Sequence, residues 1–120
     1  MILLFLGAGA LGQLFAASIA KQHPEISVYL FVSNKFREPI RNNGILLQTI
    51  DNQELIVKNV KLGSEFDIFT FDENKEDLHV FVTTKVYSNE NVAIQYRDYI
   101  NKAKSLVILQ NGIDNEDVFI

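Results

Sequence analysis

Three glycines, Gly7, Gly9 and Gly12, stand between an uninterrupted apolar run, ILLFL at residues 2–6, and a segment whose apolar residues recur with a helical period. A five-residue run that is apolar on both faces predicts a strand buried on both sides, as in a parallel sheet. From Leu11 the apolar positions are Leu11, Leu14, Phe15, Ser18 or Ile19, and then Gln22, which follows the helical repeat. His23-Pro24 closes that helix, because proline disfavours helical geometry in the residue before it. Residues 26–32, ISVYLFV, are β-branched and aromatic and predict a second strand. Strand, glycine turn, helix and strand within about 30 residues make a βαβ unit, and such units bring parallel strands together.

The middle of the chain is less regular. Residues 33–44, SNKFREPIRNNG, predict a loop with a short helix closed by Asn43-Gly44. GILLQTI and ELIVKNVKLG flank Asp51-Asn52-Gln53 and predict a β-hairpin with a polar turn. FDIFTF at 66–71 predicts another strand, and DENKED at 72–77 a solvated loop. The parallel pattern resumes with LHVFVTT at 78–84, a strand that delivers Lys85 at its carboxyl end. Ser88 or Asn89 then caps a helix with an apolar face of Val92, Tyr96, Tyr99, Ile100 and Ala103. Residues 105–109, SLVIL, give a further strand before Gln110-Asn111-Gly112, and IDNEDVFI opens another element. The fold expected is α/β: a Rossmann-type, doubly wound, mainly parallel sheet with an inserted β-hairpin, forming one dinucleotide-binding domain over 1–120.

Composition narrows the function. A formal charge of −4 and a pI near 5.1 argue against a nucleic-acid partner, which calls for a basic face. The absence of cysteine excludes disulfides, thiolate metal sites and thiol catalysis. No stretch approaches the roughly 18 apolar residues of a membrane span, and the opening residues lack a basic leader region. The expectation is a soluble, cytoplasmic protein without a membrane partner. His23, beside Pro24, is expected to be exposed, and His79 to pack within its strand or lie exposed at an edge. They are far apart and lack a third ligand, so no metal site is expected. Phe66, Phe69, Phe71 and Phe81 read as core.

In a Rossmann-type turn the first glycine permits the bend and the second lets backbone approach a pyrophosphate. The third lets helix and strand pack closely. The segment Gly7, Ala8, Gly9, Ala10, Leu11, Gly12 is therefore the expected pyrophosphate site, with the phosphates at the positive end of the helix. An NAD site carries an acidic residue about 20 positions further on. Ser33 and Asn34 occupy that place here, with Lys35 and Arg37 just beyond. Hydroxyl, amide and cationic groups suit a 2′-phosphate, which favours NADP(H). Lys85 and Asn111 also fall beyond the carboxyl ends of strands, where ligands bind in open α/β sheets. The lysine suits a carboxylate or phosphate; the asparagine suits a ribose or substrate.

Three segments in order, LGAGALG, TTKVYSNENV and LQNGI, resemble the ketopantoate reductases (2-dehydropantoate 2-reductases) over nearly the whole chain. The resemblance implies an NADPH-dependent reduction of a 2-keto acid to a 2-hydroxy acid, in pantothenate and coenzyme A biosynthesis. It implies that Gly7, Gly9 and Gly12 hold the pyrophosphate and that residues 33–37 face the 2′-phosphate. Lys85 would lie beside the nicotinamide and the small-molecule substrate as the catalytic candidate, and Asn111 would touch cofactor or substrate. In that family a second, helical domain supplies the catalytic lysine, further asparagines and a glutamate. The chain thus reads as a cofactor-binding half, cut at its C-terminal end and inactive alone. Two alternatives stand beside this reading: a non-catalytic NADP-binding or interaction module, and a dehydrogenase of another hydroxy acid. An incomplete sheet also exposes an edge and apolar surface, which invites a homodimer.

Overall fold

Five apolar residues without a charge do not suit a solvated edge, and Ile2–Leu6 (β1) runs through the middle of the sheet, buried along its whole length. The computed structural model describes residues 1–7, 9–48, 51–83 and 89–109. Among them, β1 is followed by α1 (Ala10–Gln22), β2 (Ser27–Phe31), α2 (Asn34–Asn43), β3 (Ile45–Gln48), β4 (Glu54–Val57) and β5 (Val60–Leu62). A single 3-10 turn (Gly63–Glu65), β6 (Leu78–Val82), α3 (Asn89–Gln95), α4 (Arg97–Lys102) and β7 (Ser105–Ile108) complete the order. The main sheet runs β5-β2-β1-β6-β7, parallel throughout, and β3 and β4 form a separate antiparallel hairpin. This is the α/β, Rossmann-type architecture with an inserted hairpin.

Alternation along β1 builds two cores. Leu3 and Phe5 join Ala16, Ala17 and Ala20 of α1, Val28, Leu30 and the hairpin residues Ile45 and Val57. Phe5 stacks on Phe81 of the neighbouring strand at 4.7 Å and 12°. On the opposite face Ile2, Leu4 and Leu6 meet Val80, Val82, Phe66, Ile68 and Val92. There Phe31 packs against Tyr96 at 4.9 Å and Tyr99 at 5.3 Å. The expected face Val92, Tyr96, Tyr99, Ile100 and Ala103 does pack against this core, but on two helices: the chain breaks at Tyr96 (φ −109°, ψ 23°) between α3 and α4. The Ser88 cap lies outside the described residues.

Several other local expectations are corrected. The face of α1 against the sheet consists of the small residues Gly12, Ala16, Ala17 and Ala20, whereas Leu11, Leu14 and Phe15 are exposed. Close approach of helix to strand leaves no space for leucine there. Leu14 instead lines, with Leu47 and Leu55, a groove of about 530 Å³ between α1 and the hairpin. Residues 34–43 form a full helix despite Pro39, held by the buried Ile40 and an Arg41–Glu38 pair at 2.7 Å. Residues 60–62 leave the hairpin and pair with β2 in the main sheet, where Val60 and Leu62 point inward. The Asn59 side-chain amide donates to the Ala20 carbonyl at 2.8 Å and pins the bend that makes this switch.

Residues 66–71 form no strand. The Asp67 carboxylate accepts from the Phe69 N–H at 3.0 Å, a local turn that competes with strand pairing. Phe66 and Ile68 are buried, but Phe69 is 85% exposed and belongs to no core. Residues 72–77 are exposed. His23 lies exposed beside Glu25, and His79 Nδ1 shares a 2.5 Å hydrogen bond with Ser105 Oγ across β6 and β7.

Burial raises the Tyr96 hydroxyl above its ordinary value of 10.0, and neighbouring Tyr99 adds to this against the lowering charge of Arg37. Burial also raises Tyr99, helped by Asp67 and Asp98. A raised folded-state value means the fold favours the neutral phenol. The resulting stability is complete below the unfolded value near 10 and is lost as pH rises through the folded values. Absorbance titration of the phenolates should therefore show late-ionising tyrosines, and the denaturant midpoint should fall above about pH 10. Replacing both with phenylalanine should remove that part of the alkaline loss.

Candidate functional site

The parallel strands end level. Leu6 is in register with Phe31 on one side and Val82 on the other, and Val82 with Ile108. The chain therefore leaves four adjacent strands in one row, at Gly7, Val32, Thr83 and Leu109. From β1 it passes to β2 on one side, while β6 lies on the other. Such a reversal of strand order opens a crevice beyond the carboxyl edge.

The glycines facing that crevice are required for different reasons. Gly7 has φ 118°, a conformation side chains rarely adopt. A Cβ on Gly12 would drive into the Gly7 carbonyl and reach within 2.7 Å of Thr83 Oγ1. Gly9 has neither constraint: its φ is −66°, and a Cβ there would meet no described residue within 4 Å. It stands at the N-cap of α1, with no side chain capping the helix and no acidic residue in its first turn. The first N–H groups of the helix and its positive dipole end thus lie beside Gly9, where no described residue comes close.

The other expected residues follow from the same row. Ser33 is the exposed N-cap of α2, without a side-chain cap hydrogen bond, and Asn34 and Lys35 begin that helix. Arg37 is exposed and close enough for its charge to act on the Tyr96 hydroxyl. Ala10 begins α1 and Leu11 is 42% exposed beside it. The structure thus brings the ends of β1 and β2, with their glycine turn and their Ser33 and Arg37, side by side. Ala8, Lys85 and Asn111 lie outside the described residues; the last two follow Thr83 and Leu109 by two positions each in sequence.

One contributor was not singled out from sequence. The Thr83 N–H donates to the Leu6 carbonyl at 3.0 Å, and its hydroxyl reaches the Gly7 carbonyl at 3.0 Å and that of Leu6 at 3.2 Å. A hydroxyl at the end of the strand beside the glycine turn is the signal that marks it. The Phe31, Tyr96 and Tyr99 wall is a second such feature, visible in sequence only as helical spacing.

Residues 3–120 match the family described as ketopantoate reductase PanE/ApbA. A ketoisovalerate reductase from Beauveria bassiana is 26% identical over 122 residues, 89% of this chain and 25% of that protein. A D-mandelate dehydrogenase, solved with NADH and anilino(oxo)acetate, superposes with a TM-score of 0.76 at 22% identity, over 98% of this chain and 36% of its own. A 2-dehydropantoate 2-reductase from Methylococcus capsulatus gives 0.71 at 20%, over 95% and 34%. The chain thus spans a quarter to about a third of these relatives.

The glycine geometry separates two substitutions. Gly12→Ala should cost about 1–3 kcal/mol of stability through overpacking against Gly7 and Thr83. Gly9→Ala should cost no more than about 1 kcal/mol, the N-cap preference of glycine over alanine. Urea denaturation of the two variants measures this difference.

Proposed function

Because the chain belongs to the ketopantoate reductase PanE/ApbA family, whose members are oxidoreductases, we propose that it is the NADPH-binding unit of a reductase that converts a 2-keto acid to a 2-hydroxy acid. Gly9 carries this reading. Neither backbone conformation nor packing against a described residue calls for glycine there, and beyond the modest N-cap preference for glycine the close approach of a ligand to the backbone supports this reading. The open helix end beside it suits a pyrophosphate.

When bound, NADPH supplies the hydride that reduces the keto carbon. The chain's own residues bind and orient. N–H groups of the turn from Gly7 through Ala8, Gly9, Ala10 and Leu11 to Gly12 receive the pyrophosphate. Ser33, Asn34, Lys35 and Arg37 receive the 2′-phosphate, for which cationic and hydroxyl groups are suited and a carboxylate is not. Lys85 is assigned to the substrate by the family resemblance: its ammonium would hold the substrate carboxylate and donate a hydrogen bond to the oxygen that gains charge. Asn111 holds ribose or substrate. The reaction proposed for the whole protein is reduction of ketopantoate on the route to pantothenate. The alternative of another 2-keto acid is favoured by the likeness to a D-mandelate dehydrogenase.

Calorimetric titration of this chain with NADPH and NADH tests the reading. NADPH should bind more tightly. Gly9→Ala should abolish binding of both while leaving the fold intact. Arg37→Ala should weaken NADPH roughly tenfold without changing NADH. Binding of neither nucleotide by folded wild-type protein would sink the proposal. The isolated chain should show negligible turnover of ketopantoate even while it binds NADPH.

A further inference from the structure

Thr83 lies at the end of β6, one strand away from the glycine turn and 76 residues from Gly7. Its N–H is already used by the Leu6 carbonyl. The hydroxyl, which also lies 3.2 Å from the Leu6 carbonyl, makes its shorter contact with the next carbonyl along, that of Gly7, at 3.0 Å. Among the described residues no other group donates to it. The same hydroxyl would stand 2.7 Å from a Cβ on Gly12. The Gly7 carbonyl is thus wedged between the α carbon of Gly12 and the oxygen of Thr83.

This matters because Gly7 is the residue least able to hold its own conformation. It has no side chain and sits at φ 118°, where glycine moves freely among several backbone states. A turn that receives a pyrophosphate on backbone N–H groups binds well only if those groups are already aimed. Within a sheet the ladder would supply that restraint, but it ends at Leu6. Thr83 extends it by one hydrogen bond beyond the last ladder pair.

We propose that Thr83 is a positioning residue for nucleotide binding: its hydroxyl fixes the Gly7 carbonyl and so presets the turn, without touching the ligand. This rests on the NADPH-binding reading above. A valine keeps the β-branched shape of threonine and removes only the donor, whereas serine keeps the donor and loses the methyl group.

The test compares wild type, Thr83→Val and Thr83→Ser by calorimetric titration with NADPH and with adenosine 2′-monophosphate, which lacks the pyrophosphate. Thr83→Val should weaken NADPH roughly tenfold, the scale of one lost hydrogen bond, and leave adenosine 2′-monophosphate unchanged. Thr83→Ser should bind both as wild type does. Unchanged NADPH affinity in Thr83→Val, or equal weakening of both ligands, overturns the inference while leaving NADPH binding by the wild type intact. If Thr83→Val does not fold, Thr83→Ser against Thr83→Ala isolates the hydroxyl, and equal NADPH affinity in that pair overturns it as well. A wild-type chain that binds no nucleotide overturns the underlying reading and the inference with it.

Discussion

The parallel pairing of β1 with β2 on one side and β6 on the other sets everything else in place. Its five residues are apolar on both faces, so burial on both faces removes them all from water at once. At roughly 25 cal/mol per Å² of apolar surface, a strand that is entirely interior anchors two cores rather than one. The register of those pairings is also what aligns the carboxyl ends of the strands. A slip by one residue would turn Leu3 and Phe5 to the opposite layer and pull Gly7 away from Thr83.

The central features of this fold were legible because they depend on short patterns. Residues 2–6 and 78–82 announce buried strands through composition alone, and His23-Pro24 ends α1 where proline chemistry requires. What misled were places where long-range packing overrides local pattern. Leu11, Leu14 and Phe15 have helical spacing, yet the side turned to the sheet is the alanine side, because close approach of helix and strand decides the matter. Residues 60–62 continue the hairpin in sequence but follow the deeper apolar surface beside β2, with Asn59 holding the bend. Phe69 reads as core by residue type, but the Asp67 carboxylate makes a turn that turns it outward.

The site shows the same division. The motif assigns each glycine its own reason, and the geometry gives Gly7 its conformation and Gly12 its packing, while Gly9 has neither constraint among the described residues. The hydroxyl at the end of β6 marks Thr83 in the sequence, but its partner carbonyl, 76 residues away, becomes visible only in the structure. Ser33 and Arg37 were legible because they follow β2 directly, and the register places that strand end beside the turn.

The same pairing has a consequence for the order in which the molecule can form. β1 leaves a ribosome well before the strand on its far side, β6, which spans 78–82. Until then the uncharged ILLFL segment can pair only with β2 and has no partner on its other edge. Contacts between such distant residues are slow to form, and unpaired apolar strands invite association with other chains.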